Sequence, residues 1–493
     1  MSQDALEKLS RDVDALRSGL PGAENAWSPW IERVDVRYRA SARNLAHYWS
    51  IRQHDLRDLQ ATLTARGLSS LGRSEPHVEA TLGLVAAALA AMRGDSYVTP
   101  DDPVIGVQES TEVLQDRATE LLGPVPAGRG VRIMVTLPSD AATDRDLVRD
   151  LVERGMTVAR INCAKDDAQA WKAMADNVHE QARSVGRTCA IAMDLAGPKL
   201  RTGPLEPSDE GLRLGGGDML RLIRDGTPQP ADAEPPRIGC TLPQVFEYAQ
   251  AGQRIAFDDG KLGGVIESVD DGGIDVRIEH PARDTAKLKA GKGINVPDTD
   301  LHVSALTDKD LEDLRTVIEL ADVVELSFVR EPADVQRLID ELATLGDDRL
   351  GIVLKIETQA GFEKLPQLVL TAMQRPRIGV MIARGDLAVE VGYERMAELQ
   401  EEVLWLCESA HLPVIWATQV LEQLAKTGQP ARAEVSDAAM SQRAECVMLN
   451  KGPYIADAVA TLDSILRRME AHLYKKNSLL RSLHSWQPEP ISV

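Results

Sequence analysis

Residues 351–387, GIVLKIETQAGFEKLPQLVLTAMQRPRIGVMIARGDL, contain the pattern that decides the fold. Two short apolar runs, at 351–357 and 377–383, flank the helix-like segment GFEKLPQLVLTAM. Both runs are continuous and do not alternate with polar residues, which is typical of strands in a parallel sheet that is covered on its outer side. The stretch therefore predicts one strand–helix–strand unit of an α/β protein.

The same alternation extends in both directions from this stretch. Four strand-like runs precede it and two follow it: RIMVTL (132–137), TVARIN (157–162), CAIAMD (189–194), DVVELSF (322–328), PVIWAT (413–418) and ECVMLN (445–450). Eight strand-then-helix units predict a (β/α)8 TIM barrel, which typically needs about 250 residues. A doubly wound open sheet is the structural alternative, and the count of eight favours the barrel.

The regions outside the alternation predict the domain organisation. Residues 204–293 are rich in Gly, Pro and Asp with short β-like pieces, so we expect a small inserted β lid domain there. The barrel then comprises 130–203 and 294–475, and 476–493 form a C-terminal tail. Residues 1–129 show helical periodicity and predict an N-terminal helical extension.

Within this extension, two helices are predicted. The first carries an apolar stripe and stops at Gly67, and the second starts after Ser74 and ends near Met92; the stripe consists of Leu45, Tyr48, Leu56, Leu59 and Leu63. The region shows no catalytic signature, so we interpret it as a cap or an oligomerisation element and expect a homo-oligomer.

Composition excludes several classes of protein. The net charge of −20 and the pI near 5.0 argue against a nucleic-acid partner, which requires a broad basic face. The five cysteines are scattered, which argues against a zinc site or a disulfide framework and favours a reducing compartment. The charged start has no signal-peptide pattern, and the longest apolar run is too short to cross a bilayer. We therefore expect a cytoplasmic protein without a membrane partner.

Polar residues close six of the eight predicted strands. Barrel enzymes place their sites at the carboxyl ends of the strands, so these side chains should meet at one mouth: Arg160, Asn162, Asp194, Ser327, Lys355, Glu357, Arg384, Asp386 and Thr418. Lys355 and Glu357 are two apart on one strand and point to the same side. Glu357 and Asp386 suit Mg²⁺ or Mn²⁺, because Mg²⁺ takes few protein carboxylates and keeps water or substrate oxygens. A lysine beside them can stabilise a developing anion.

The same segments carry a family resemblance. Eight blocks, in order from about 130 to 470, resemble successive blocks of the pyruvate kinase family: GMTVARIN, MDLAGPKLRTG, GKGINVPDTDL, DVVELSFVR, LKIETQAGFE, MIARGDLAVE, WATQVLEQL and PARAEVSDAA. The order agrees with the predicted barrel and includes the inserted β domain, which would be the family's mobile lid. The resemblance implies a kinase that moves phosphate between phosphoenolpyruvate (or pyruvate) and ADP or ATP.

The resemblance also implies roles for individual residues. Lys355 would neutralise the transferring phosphoryl group and the enolate oxygen, and Thr418 would help relay the proton to the enolate carbon. Glu357 and Asp386 would hold the Mg²⁺. The remaining implied contacts are Arg160 and Arg201 to phosphates, Ser327, Gly385, Asp386 and Thr418 to substrate, and Asn162, Lys292 and Arg201 to nucleotide.

Lys199 marks a departure that bears on K⁺. Many members of the family require K⁺ and carry a glutamate at this position, whereas a minority carry lysine and need no K⁺. Ala164 and Leu195 replace two oxygen-bearing residues of the K⁺ site, while Asn162 and Asp194 remain. We therefore expect that K⁺ is not required and that Lys199, held by Asp194, replaces it.

Other departures keep two alternatives open. Cys163-Ala164-Lys165 replaces Phe-Ser-His, the loop MLNKGPYIADAV is shortened, and the family's usual C-terminal domain is not expected after the barrel. Lys165 and Lys451 add charge near the mouth. One alternative is a lyase or aldolase that keeps the Mg²⁺–enolate centre without a nucleotide site. The other is a non-catalytic metabolite sensor or scaffold.

Overall fold

The protein's computed structural model describes residues 3–478. Eight parallel strands close into a barrel, which confirms the predicted fold: β1 (Arg132–Thr136), β2 (Val158–Asn162), β3 (Ala190–Asp194), β4 (Val323–Leu326), β5 (Gly351–Ile356), β6 (Ile378–Ala383), β7 (Val414–Ala417) and β8 (Cys446–Leu449). Each strand pairs with its neighbours in chain order. The barrel closes where β1 pairs with β8, with Arg132 opposite Cys446.

Helices cover the outside of the barrel: Arg145–Arg154, Ala168–Ser184, Asp308–Leu320, Pro332–Thr344, Gln359–Glu363, Leu365–Ala372, Arg384–Val391, Tyr393–Ser409, Glu422–Thr427, Arg432–Met440 and Ile455–Met469. The strands are continuously apolar because both of their faces are buried. In β1, for example, Met134 belongs to the interior cluster, whereas Ile133 and Val135 pack against the helices.

The N-terminal segment contains α1 (Gln3–Ile31), α2 (Arg39–Arg52), α3 (Arg57–Thr64), α4 (Val78–Met92) and α5 (Val107–Leu122). The predicted stripe from Leu45 to Leu63 does not lie on one helix, because α2 ends at Arg52 and a turn precedes α3. The second predicted helix corresponds to α4 after a 3₁₀ turn at Glu75–His77.

Helix α5 has a function in the barrel core that its sequence did not indicate. Its last residues, Leu121 and Leu122, are buried in the cluster that fills the barrel interior. Leu121 lies against Gly351 and Gly379, where a Cβ would come within 2.5 and 2.6 Å of its methyl groups. The α5 terminus therefore closes the amino-terminal end of the barrel.

Between β3 and β4 the chain forms mainly antiparallel β-structure with its own apolar cluster. The strands are Leu205–Glu206, Leu212–Gly215, Met219–Ile223, Gln229–Pro230, Arg237–Gly239, Arg254–Phe257, Leu262–Asp270, Gly273–His280, Thr285–Leu288 and Ile294–Asn295, with one short helix, Val245–Tyr248. Whether this region moves as a lid, with boundaries at 204 and 293, stays a prediction.

At the carboxyl end of the described chain, Leu473–Tyr474 pairs with Asn477–Ser478. The predicted tail, 476–493, lies outside the described residues from 479 onward. Among the helices of residues 3–478, none has the length and apolar character needed to cross a bilayer.

Candidate active site at the barrel mouth

A cavity of about 460 Å³ lies at the carboxyl ends of the barrel strands. The strand-end residues that the sequence singled out surround it: Arg160, Asn162, Asp194, Ser327, Lys355, Glu357, Asp386 and Thr418. Lys199 and Arg201, which follow β3, also line the cavity. The barrel topology thus brings together residues that are up to 258 positions apart in the chain.

Lys355 lies at the centre of this group. Its ammonium donates to Ser327 Oγ at 2.7 Å and lies 3.0 Å from carboxylate oxygens of both Asp194 and Glu357. Burial alone would lower the pKa of Lys355, but the two carboxylates outweigh burial and raise the pKa above its ordinary value. Lys355 is therefore a fixed positive charge in a site that is shielded from water.

Arg160 and Lys355 both contact Asp194. Arg160 also binds Glu325, a carboxylate that sequence analysis missed. Its guanidinium donates to Glu325 Oε2 at 2.8 Å and to Thr136 Oγ1 at 2.9 Å, and its third nitrogen pairs with Asp194. Glu325 is fully buried, and burial raises its pKa to about 6 although Arg160 opposes the rise. A charged residue inside the apolar run DVVELSF was the available signal. The predicted contact from Arg160 to phosphate stays a prediction; Nη1 and Nη2 each keep a second N–H, and Arg160 lines the cavity.

Glu357 and Asp386 are two of the five carboxylates that line the cavity. Glu357 Oε2 accepts a hydrogen bond from the Phe328 amide at 2.6 Å. Burial raises the pKa of Glu357, with Lys355 opposing and Asp386 adding to the rise. Glu357 and Asp386 carry like charges at the same cavity, and a cation bound to both would relieve their repulsion.

Lys199 does not bind the residue that was predicted to hold it. Its ammonium donates to both oxygens of Asp386, at 2.8 and 3.1 Å. The predicted pairing with Asp194 is wrong, because Asp194 already accepts from Arg160, Lys355 and Ser327. Among the described residues, Lys199 is the cationic partner of Asp386, and Asp386 has no other.

Thr418 is held at the rim by its neighbours. Its φ is +67°, a strained value for a β-branched residue. Its hydroxyl accepts from the Gly385 amide at 2.7 Å, and its carbonyl accepts from Arg384 at 2.7 Å. Arg384 is itself paired with Asp437. Gly385 and Arg384 therefore position Thr418. Neither of these two residues lines the cavity.

The three predicted nucleotide contacts are not all brought together. Arg201 lines the cavity and donates to the Gly291 carbonyl at 3.2 Å. Asn162 also lines it, and its Oδ1 accepts from the Ala164 amide. Lys292 does not line the cavity, because its ammonium lies 2.9 Å from Asp258 in the inserted region.

Three cations in the cavity wall are unpaired. Arg201, Lys165 and Lys451 have no carboxylate within 4.0 Å among residues 3–478, unlike Lys199, Lys355 and Arg160. The two lysines follow β2 and β8, which flank β1, so they lie in one sector of the mouth. This sector can balance the charge of a polyanion.

The donor set at the mouth also limits which metal it could hold. No group of three or more His, Cys, Asp or Glu residues suited to a metal occurs in the described part of the chain. Glu357 and Asp386 offer hard oxygen ligands, which fit Mg²⁺ because that ion is usually bound through one or two carboxylates plus substrate oxygens. The residues present therefore fit Mg²⁺ better than they fit zinc or another soft-ligand metal.

Comparison with known proteins gives a consistent family assignment. The model of the family described as pyruvate kinase, barrel domain, matches residues 128–459. Pyruvate kinase PKLR of Rattus norvegicus is 30% identical over 366 residues, which cover 71% of this chain and 61% of the rat protein. The pyruvate kinase of Bacillus licheniformis is 31% identical over 361 residues, covering 71% and 59%. That of Mycobacterium tuberculosis H37Rv is 32% identical over 337 residues, covering 67% and 68%. The chain thus spans about six-tenths of the length of the rat and Bacillus relatives.

Proposed function

The chain belongs to the pyruvate kinase family, and from this membership we propose that it moves a phosphoryl group between phosphoenolpyruvate and a nucleoside diphosphate. The observation that carries the proposal is the buried ammonium of Lys355, which lies 3.0 Å from both Asp194 and Glu357 at the mouth of the barrel. In the forward direction the P–O bond of phosphoenolpyruvate breaks and a new P–O bond forms to the nucleotide. The enolate that is left takes up a proton at carbon and becomes pyruvate.

Lys355 acts on the charge that develops during this transfer. Phosphoryl transfer requires little covalent chemistry from the protein, so catalysis consists of positioning and electrostatic stabilisation. The ammonium of Lys355 is fixed by three partners and shielded from water, which strengthens its attraction for an anion and avoids reorganisation during reaction. Thr418, held by Gly385 and Arg384, lies at the rim of the same cavity and is our candidate for relaying the proton to the enolate carbon.

Glu357 and Asp386 would hold Mg²⁺. The ion, when bound, supplies Lewis-acid stabilisation of the substrate's phosphoryl and enolate oxygens. Asp386 already binds Lys199, so the lysine and the metal compete for the same carboxylate. Lys199→Met should therefore bind Mn²⁺ more tightly than the parent, as measured by electron paramagnetic resonance of free Mn²⁺.

A matched control exists for this metal titration. Lys426 lines the same cavity but pairs with Glu422 on its own helix, so Lys426→Met should change Mn²⁺ affinity little. Asp386→Asn should weaken Mn²⁺ binding. Equal affinity in the parent, Lys199→Met and Asp386→Asn would contradict the assignment of Asp386 as a metal ligand.

We further propose that the enzyme needs no K⁺. The ammonium of Lys199 is a covalently attached cation in the mouth, and its side chain is only 20% exposed. The side chains at two positions that resemble the family's K⁺ site, Ala164 and Leu195, offer no oxygen. In this proposal Lys199, which pairs with Asp386, supplies the positive charge that K⁺ would contribute.

A second candidate function is a lyase that uses the same enolate centre without a nucleotide. The observation that favours it is the pairing of Lys292 with Asp258, which keeps this ammonium away from the cavity. Rotation of Lys292 toward a bound nucleotide would restore the kinase assignment. The two functions differ in whether pyruvate formation depends on a nucleoside diphosphate.

A lactate dehydrogenase-coupled assay with phosphoenolpyruvate, Mg²⁺ and a panel of nucleoside diphosphates tests the proposal. We expect pyruvate to form only when a nucleoside diphosphate is present, and we expect Lys355→Met to lose this activity while Lys426→Met keeps it. Pyruvate formation from phosphoenolpyruvate without a nucleotide would be hydrolysis and would contradict the kinase. Release of pyruvate from a 4-hydroxy-2-oxo acid, with neither phosphoenolpyruvate nor nucleotide present, would favour the lyase, because that substrate yields the enolate by C–C cleavage. Binding of phosphoenolpyruvate without turnover in either assay would refute both enzymes and favour the sensor.

A further inference from the structure

A second cavity, of about 580 Å³, lies at the opposite end of the barrel. It is enclosed by α5, by residues 125–132 at the start of β1, by residues 442–445 before β8, and by residues 473–475. Its volume is within the range of small-molecule sites, about 300–1,000 Å³. None of the residues assigned to the candidate active site lines it.

Arg132, the first residue of β1, contributes a buried charge to this cavity. It is 2% exposed, and its guanidinium donates from Nε to the Gly123 carbonyl at 2.7 Å and from Nη2 to Thr119 Oγ1 at 2.9 Å. Nη1 makes no hydrogen bond to the described residues, and no carboxylate of residues 3–478 lies within 4.0 Å of the guanidinium. Burial lowers the pKa of Arg132, and the nearby Glu445 only partly opposes this fall.

Glu445, an acidic residue of the same cavity, is not available to Arg132. One of its oxygens pairs with Lys475, and the other accepts from the Val414 amide at 2.8 Å. Asp116 and Glu470 also line the cavity. Glu470 is occupied by the Gly130 amide and by Gln442, so it too is directed elsewhere.

Three other buried polar atoms of the cavity residues lack partners among residues 3–478. They are the Nε atoms of Arg129 and Arg443 and the Oε1 atom of Gln442. Buried polar groups in folded proteins are nearly always hydrogen-bonded, and a buried charge without a counter-ion is strongly unfavourable. These three atoms are themselves closed off from the cavity, so the unpartnered donor that a ligand can reach is Nη1 of Arg132.

We propose that this cavity binds a small organic anion, with its carboxylate or phosphate on Arg132. An anion supplies the missing counter-charge. Leu114, Val125 and Val131 line the same cavity and would contact the apolar part of the anion.

Isothermal titration calorimetry of the full chain at fixed ionic strength tests the proposal, with glycerol 3-phosphate as the phosphate probe and malate as the carboxylate probe. We expect one of the two to bind with a stoichiometry near one per chain. Arg132→Met should weaken that binding at least about tenfold, because a hydrogen bond to a charged group is lost.

Arg377→Met is the matched control. Arg377 precedes β6 at the same end of the barrel and donates to the backbone carbonyls of Glu120 and Arg349, as Arg132 does to that of Gly123. It does not line the second cavity and is more exposed than Arg132. Its variant should bind the probe like the parent.

A second variant keeps the test valid if Arg132→Met fails to fold. Val125 lines the cavity and is 44% exposed, so Val125→Asp should fold and should weaken anion binding by repulsion. No binding of either probe by the parent would overturn the proposal. Equal weakening in Arg132→Met and Arg377→Met would also overturn it, since binding would then follow overall charge. Because the measurement is of binding, its result does not depend on the phosphoryl transfer proposed above.

Discussion

The packing of Leu121 beneath the barrel leads to a prediction about stability. Leu121 is 1% exposed and belongs to the cluster that fills the barrel interior. Leu121→Ala removes buried methyl groups and leaves a cavity, and such a substitution destabilises a protein by about 2–5 kcal/mol. Leu84→Ala in α4 is the control, because Leu84 is 44% exposed and its loss should cost no more than about 0.5 kcal/mol.

Gly351 allows the contact itself to be tested. A Cβ at this position would lie 2.5 Å from Leu121 Cδ1, whereas its next neighbours are 3.4 and 3.5 Å away. Gly351→Ala should therefore destabilise the parent by about 1–3 kcal/mol through overpacking. In the Leu121→Ala background the new methyl group has space, so the same substitution should be neutral or stabilising.

Urea titrations followed by tryptophan fluorescence give the four free energies of unfolding for this double-mutant cycle. We expect a coupling energy of about 1–3 kcal/mol between positions 121 and 351. Additivity within about 0.5 kcal/mol, or a loss below about 1 kcal/mol for Leu121→Ala alone, would refute the conclusion that α5 closes the barrel.

Three further predictions concern catalysis, pH and monovalent cations. Lys355→Met should lower kcat by about 10²–10³ with a much smaller change in KM, because its charge matters most in the transition state; steady-state kinetics in the coupled assay check this. Burial raises the pKa of Glu390 to about 7 from an ordinary value of 4.5, so the folded state retains a proton that the unfolded chain releases. The free energy of unfolding should therefore fall as pH rises from about 4.5 to 7. Urea titrations at several pH values should show a smaller fall for Glu390→Gln than for the parent. Activity should be equal in Na⁺, K⁺ and tetramethylammonium at matched ionic strength, and dependence of the parent on K⁺ would contradict the role proposed for Lys199.

The barrel was predictable because its signal is local and repeated. Each strand is a largely apolar run, polar residues close six of the eight predicted strands, as in VARIN and AIAMD, and all eight predicted strands are present. Parallel topology then places every strand end at the same mouth, so the candidate site followed from the fold. Residue type and position within the strand were sufficient for this step.

The closure of the barrel by α5 was not predictable in the same way. Leu121 and Leu122 end a helix whose pattern is that of an ordinary amphipathic helix. Their burial depends on two glycines, Gly351 and Gly379, that lie more than 220 residues further along the chain. Contacts of this kind depend on three-dimensional proximity and leave no periodic signal in either segment.

The partner of Lys199 shows why charges at a shared mouth cannot be paired from the sequence. Asp194 was the predicted partner because it is one of the two residues of the implied K⁺ site, with Asn162, that remain in this sequence. The barrel, however, places Arg160, Lys355 and Ser327 around Asp194 and leaves Asp386 without another cation among the described residues. Charge pairing follows the competition among all groups at the mouth and not the distance along the chain. Because Lys199 binds a carboxylate that we assign to the metal, the side chain that we propose as the substitute for K⁺ should also weaken the binding of Mg²⁺.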